Sequence, residues 1–249
     1  MASTVPDEIL SAILHPVFDV PDSEFSAHFA PVLQPRWRYL LVCCAWRRVG
    51  TPLLYRVVIL KSKAQAKTLS TTLSASPELG RYIKKLRVEG GYGALMLPIL
   101  RHAPRITDLF LVVDIVTPEK TEGLCAGLSL VSPRRLILRS GEYHRKPCKA
   151  LTELLDALVE AIVNWDLLTV FESAFVFLSP KTKRILQALA AADRLRVLRV
   201  ANLYHANWVY KELAGCSLEA VELTLPYSEN SLVAAPGPEL QSLLRFSDQ

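Results

Sequence analysis

The apolar positions of this chain fall into a recurring spacing, apolar-x-x-apolar-x-apolar. It stands at Tyr55/Val58/Leu60, Ile83/Leu86/Val88 and Ile106/Leu109/Leu111, and again at Trp165/Leu168/Val170, Leu195/Leu198/Val200 and Leu218/Val221/Leu223. A weaker copy is Pro133/Leu136/Leu138. The last two anchors of each copy stand two residues apart, the period by which a strand turns alternate side chains to one face. The segments between the copies change to a helical period. Residues 64–73 align Ala66, Leu69 and Leu73; residues 94–102 carry Leu95, Leu97, Ile99 and Leu100. Residues 151–163 hold Leu151, Leu154, Leu155, Leu158, Val159 and Ile162 on one stripe, and residues 182–192 hold Ile185, Leu186 and Leu189. A last amphipathic segment, 238–246, with Leu240, Leu243 and Leu244, is expected to form a helix that caps the array.

An α/β architecture follows. Each strand–helix pair exposes apolar faces that only a neighbouring pair can cover, so the units must stack. The product expected is an open, curved parallel sheet with helices on its convex side. The starts at 55, 83, 106, 133, 165, 195 and 218 are separated by 28, 23, 27, 32, 30 and 23 residues. This resembles an irregular leucine-rich repeat, whose units run about 20–29 residues. A doubly wound α/β domain is the rival fold. It calls for a glycine-rich turn after the first strand, where this chain has Leu60-Lys61-Ser62-Lys63.

The residues between the apolar anchors are assigned to the concave face. Lys85, Arg87, Phe110, Arg135, Ile137, Arg139, Phe171 and Arg199 form the candidate target-binding surface, with Leu167, Thr169 and Glu222 beside them. Large apolar and Arg side chains on an open face are typical interaction anchors. The alternative is that Phe110, Ile137 and Leu167 lie beneath the chain's own loops.

Ahead of the repeats stand two short apolar segments, Thr4 to Leu14 and Leu40 to Trp46. In the first, Thr4 and Asp7 suit a capping box, Pro6 suits a first helical turn, and Asp7 and Glu8 suit the positive end of the helix dipole. Ile9, Leu10, Ile13, Leu14 and Val17 then make a stripe, and Pro16 predicts that the helix stops near His15. The second helix is expected to start at Pro35 or Arg36 and to end at Gly50, followed by a short turn through Leu53, Leu54 and Tyr55.

Pro6-Asp7-Glu8-Ile9-Leu10, then Leu41-Val42-Cys43-x-x-Trp46, then Pro52-Leu53-Leu54-Tyr55, resembles an F-box, and the run Leu53 to Leu60 resembles its continuation in fungal F-box proteins. The resemblance covers residues 5–55 and departs from the usual pattern twice. Val5 stands where Leu is usual, and an insertion of about residues 16–35, with Pro16, Pro21, Pro31 and Pro35, separates the halves as a loop. The resemblance implies a module (residues 1–56) that docks on the adaptor Skp1 through Val5, Pro6, Ile9, Leu10, Ile13, Leu14, Leu40, Leu41, Val42, Cys43 and Trp46. It implies that the repeats (residues 57–249) bring a target protein to a cullin–RING ubiquitin ligase. On this reading the protein is a non-enzymatic substrate adaptor of the cytoplasm or nucleus, monomeric apart from its complex.

Composition fits a globular chain: 51% of its residues are hydrophobic and 21% charged. No apolar run reaches membrane-spanning length, and the N-terminus lacks the pattern of a signal peptide. Five cysteines at 43, 44, 125, 148 and 216, with no Cys-x-x-Cys pair, argue against a disulfide framework or zinc site. Charge is uneven. Residues 61–150 hold 16 basic and 7 acidic side chains, whereas residues 151–249 hold 8 and 12. Two further functions stand beside the adaptor, a repeat scaffold whose F-box no longer binds and a nucleic-acid binder using the basic middle, residues 61–150. The basic residues, however, follow no nucleic-acid motif, and a solvated basic face accounts for them.

Signals for catalysis are weak, and neither a cofactor nor a metal is expected. His15, His28, His102, His144 and His205 are scattered. Glu89-Gly90-Gly91-Tyr92-Gly93 lacks the ending of a phosphate loop and reads as a tight turn. The basic loop His144 to Lys149, with Cys148, has no matching base and reads as surface.

Overall fold

The repeated spacing produces strands. A computed structural model describes residues 5–27, 29, 31, 34–116, 118–139, 148–173, 180–192, 194–213, 215–224 and 237–246. Its strands are β1 (Val57–Leu60), β2 (Lys85–Val88), β3 (Asp108–Val112), β4 (Arg135–Arg139), β5 (Val170–Ser173), β6 (Val197–Val200), β7 (Ala220–Leu223) and β8 (Leu244–Phe246). They form one all-parallel sheet in strict sequence order, β1 to β8. Parallel neighbours require a crossover, and the helices supply it. They are α4 (Lys63–Ala75), α5 (Met96–His102), α6 (Glu122–Leu128), α7 (Lys149–Asn164), α8 (Pro180–Ala192) and α9 (Leu203–Glu212), with α10 (Pro238–Leu243) before β8. The architecture is α/β and solenoid-like.

The register shows why the units stack. Val58, Leu86, Leu109, Leu136, Phe171, Leu198, Val221 and Leu244 occupy one row across the sheet. Most of this row is buried in a single core with α-helical residues such as Leu73, Ile99, Leu100, Leu124, Leu154, Leu158, Ile185 and Val209. A regular main-chain ladder precedes the strands. The amides of Lys84, Thr107, Arg134, Thr169, Arg196 and Glu219 donate in turn to the carbonyls of Arg56, Lys84, Thr107, Arg134, Thr169 and Arg196. Trp165 closes a gap between units, donating its indole Nε1–H to the Leu128 carbonyl at 3.1 Å inside the core.

Two expectations are corrected here. The strand after Trp165 starts late, at Val170, so the alternation is set by Phe171 and not by Leu168 and Val170. Phe171 therefore lies in the helix-side core, and Glu172 takes its place on the open face, opposite Ile137 and Arg199. The C-terminal segment is not one helix, because Leu244–Phe246 adds a strand to the free edge of β7. Helices α6 and α9 fill two connections to which the sequence assigned no helix, and they bury Leu124 and Leu128, and Leu203, Ala206 and Val209. Ser62, just after the first strand where a doubly wound fold calls for a glycine-rich turn, caps α4 by accepting from the Gln65 amide.

The N-terminal region also differs from its sequence reading. Helix α1 (Asp7–Phe18) runs past Pro16 for a further half turn, because Phe18 is buried with Leu10 and Leu14 in the region's own core. Its N-cap residue is Pro6, without a side-chain bond, and Asp7 turns away to pair with Arg48; Thr4 lies outside the described residues. The second segment divides into a 3₁₀ turn, Arg36–Leu41, and helix α3 (Cys44–Tyr55). Gly50 does not end α3. It is buried within it, and a Cβ there would sit 2.6 Å from Leu40 and 3.3 Å from Phe18. Trp46, Val49, Leu53 and Leu54 of α3 pack on the buried stripe of α1, and α3 leads directly into β1.

Candidate functional site

Two surfaces emerge. The first is the outer side of the N-terminal helices. A 3.6-residue period divides α1, placing Leu10, Leu14 and Phe18 inward and Ile9 and Ile13 outward, with Val5 exposed just ahead of the helix. Ile9 and Ile13 are more than half exposed. On the following turn Leu41 is 72% exposed, with Trp37, Tyr39 and Val42 also open and Cys43 and Cys44 at the surface. The sequence-derived docking set therefore splits. Val5, Pro6, Ile9, Ile13, Leu41, Val42 and Cys43 are exposed. Leu10 and Leu14 are spent on the module's own core, and Leu40 and Trp46 pack partly against it. The apolar stripe of a short helix is two-sided here, and periodicity alone did not say which side faces in. Arg48 fastens α1 to α3 through two bonds to the Asp7 carboxylate, at 2.6 and 3.0 Å.

The second surface is the side of the sheet away from the helices. The row Ile59, Arg87, Phe110, Ile137, Glu172, Arg199, Glu222 and Arg245 crosses it in register. This face is not open along its length. The segment between α1 and the 3₁₀ turn, expected to be an irregular loop, crosses it as a strap. Its helical turn α2 (Asp22–Phe25) drives Phe25 into a cluster with Val20, Phe110 and Ile137, flanked by Val57 and Val112. Phe25 is fully buried and stands edge-on to Phe110, ring centroids 6.1 Å apart.

The basic residues of the face hold the strap. Arg87, 1% exposed, stacks its guanidinium 4.0 Å from the centre of the Phe110 ring. It donates to the carbonyls of Phe25 (2.7 Å) and Ala27 (2.8 Å) and to Glu89 (2.8 Å). Arg139 donates to the Ala27 carbonyl at 3.0 Å, and burial pushes its pKa down to about 10. Arg135 reaches both oxygens of Asp22 at 2.7 Å and pairs with Glu172. Lys85 donates to Asp22 at 2.9 Å, and Arg199 lies 3.7 Å from it. Arg199 is itself bound to Glu222 at 2.6 Å. Outside the face, Lys61 donates to the Pro31 carbonyl at 2.7 Å.

All eight residues assigned to the target surface except Phe171 do lie on this face. Of these, Phe110 and Ile137 are buried under the strap, while Arg87, Arg135, Arg139 and Lys85 bond to it directly. Four cations of the middle region are thus partnered by the strap inside the molecule. The sequence carried a signal of this, an acidic–aromatic turn, Asp22-Ser23-Glu24-Phe25, enclosed by prolines.

Asp22 is the titratable hinge of the contact. Burial alone would raise its pKa, but Arg135 and Lys85 outweigh burial and hold the carboxyl below its ordinary value of 3.8. A carboxylate whose pKa falls on folding contributes stability above its unfolded value and loses it as pH drops through the folded one. The strap is therefore expected to loosen only below pH 3.8. An NMR titration of the Phe25 and Phe110 rings should show that step in the natural chain and not in Asp22→Asn. An identical step in both would assign the loosening to another group.

Tyr92 sits at φ 52° in the turn after β2, and its hydroxyl donates to the Leu60 carbonyl at 2.9 Å. The turn is tied to its neighbour by Gly91 N–H to Glu119 and Gly93 N–H to the Lys120 carbonyl. A Cβ at Gly91 would sit 2.3 Å from the Lys120 carbonyl oxygen, and Gly93 stands at φ 60°, which accounts for these two glycines. Among the described residues, no group of three or more His, Cys, Asp or Glu side chains could hold a metal ion, and no helix is long and apolar enough to cross a membrane. The loop at residues 144–147 lies outside the described residues.

No protein-family model matches the chain, and no curated protein matches it.

Proposed function

We propose that the protein is an F-box substrate adaptor, with a leucine-rich-repeat-like solenoid behind the F-box. The observation that carries this reading is the unsatisfied outer face of the N-terminal helices. Val5, Ile9, Ile13, Leu41 and Val42 stay exposed although the same module has a complete core of its own in Leu10, Leu14, Phe18 and α3. An exposed apolar face on a packed module marks an interaction surface, and helix-in-groove burial is the mode it fits. The partner is a Skp1-like adaptor and, through it, a cullin–RING ligase. The solenoid then selects the target, and this chain acts by bringing target and ligase together.

Co-expression with a Skp1-like adaptor tests the reading. A one-to-one complex that survives size exclusion is expected. A folded chain that elutes alone, with the adaptor in a separate peak, overturns it.

A further inference from the structure

The strap is held by chemistry that a separate peptide could supply. One carboxylate, Asp22, is bound by Arg135 and Lys85. One ring, Phe25, fills the apolar site made by Phe110 and Ile137. Two main-chain carbonyls, of Phe25 and Ala27, accept from Arg87 and Arg139. None of these groups depends on where the peptide comes from. The face also dictates the chemistry of whatever covers it, because buried guanidinium groups are costly unless partnered. Here three arginines, Arg87, Arg135 and Arg139, are nearly buried on one face.

The strap is also built to come away as a unit. Arg36 donates to the Phe18 carbonyl at 2.8 Å, so the excursion leaves and returns at one neck. Opening it beyond that neck leaves the core of α1 and α3 in place. Among its described residues the regular structure is the four-residue turn α2, so little internal bonding is lost on release.

We propose that residues 20–27 are an internal occupant of a peptide-binding face, and that the face takes from a partner protein a helical turn with a carboxylate three residues before a phenylalanine. Charge complementarity selects that partner, since Asp22 supplies the carboxylate to Arg135 and Lys85 and the strap must leave for another acidic turn to enter. Covered by its own strap, the chain binds such a turn weakly. The apparent affinity falls by the fraction of chains that are open. The inference rests on the reading of this face as the target surface but does not involve the adaptor, so the adaptor complex and the peptide contact can fail separately.

The probe is a fluorescein-labelled peptide of the sequence of residues 19–27, read by anisotropy against the natural chain and the full-length Asp22→Ala/Phe25→Ala variant. The variant is expected to bind it about tenfold or more tightly than the natural chain does, because a tethered occupant competes at an effective concentration in the millimolar range. Affinity should fall with added salt and vanish when the peptide carries the same two alanines. A folded variant that ignores the peptide, or binds both peptides alike, overturns the proposal. So does a dimer that exchanges straps, which would make a second copy the occupant. If the variant does not fold, hydrogen exchange on the natural chain decides. Strap amides that exchange while β2 to β4 stay protected support the proposal, and exchange only together with those strands overturns it.

Discussion

Replacing Arg135 by methionine is expected to destabilise the chain by about 3–5 kcal/mol, the cost of breaking a buried ion pair from one side. The argument concerns what is left behind. Glu172 is 6% exposed and loses its hydrogen-bonded partner, and the nearest remaining cation, Arg199, lies 3.9 Å away. Asp108, 3.6 Å from Arg135, loses a contact as well. Asp22 suffers less, because it is half-exposed and keeps Lys85 at 2.9 Å. Urea unfolding measures the loss. The double variant Arg135→Met/Glu172→Leu should recover most of the loss, since an apolar pair of similar volume can replace a buried ion pair at little cost. A single-variant cost below about 1 kcal/mol, the range of a surface ion pair, would mean that water reaches Glu172 and that the strap does not seal this part of the face.

The N-terminal helices carry the second large effect, and it differs between neighbouring residues. Ile9→Asp/Ile13→Asp alters only exposed positions of α1. Stability should change by no more than about 0.5 kcal/mol, as for ordinary surface substitutions. Adaptor binding should weaken by about 100-fold or more, because two charges would enter an apolar interface; this corresponds to about 2.7 kcal/mol. Leu14→Ala reverses the pattern. Leu14 is buried against α3, so its truncation should cost about 2–5 kcal/mol of folding stability. Where the module still folds, binding should change little. Thermal unfolding and titration calorimetry on the same samples separate the two. Retained adaptor binding by the isoleucine variant would show that the exposed stripe of α1 is not the docking face.

These expectations rest on a face assignment that the sequence left undivided. The stripe Ile9, Leu10, Ile13, Leu14 and Val17 was legible as helical, and its half-turn pairs are alike in hydrophobicity. Only the presence of α3 on one side made Leu10 and Leu14 interior and left Ile9 and Ile13 outside. Pro16 argued for a break near His15, yet Phe18 gains enough from burial with Leu40 and Val49 for the helix to continue past it. Phe171 was misplaced for a related reason. In a unit with a long approach to its strand, two apolar spacings compete, and a one-residue shift moves every side chain to the other face. The neighbouring strands β4 and β6 settled it by pairing Leu136 and Leu198 with Phe171.

What the sequence by itself determined is the repeating order of strand and helix. Alternation and helical period are local properties, and the stacked core from Leu60 to Leu223 follows from them because each unit's apolar side chains need the next unit. The identity of the basic and aromatic residues on the open face was equally plain. What covers them was decided only by the tertiary structure. The strap reaches Lys85, Arg87, Phe110, Arg135, Ile137 and Arg139 from about 60 to 115 residues away in the chain, and no local pattern records a contact across that separation. Once the parallel sheet had brought those side chains into one patch, an acidic–aromatic turn flanked by prolines became its complement, and a surface that the sequence left either open or beneath a loop is closed over Phe110 and Ile137 by the chain's own N-terminal excursion.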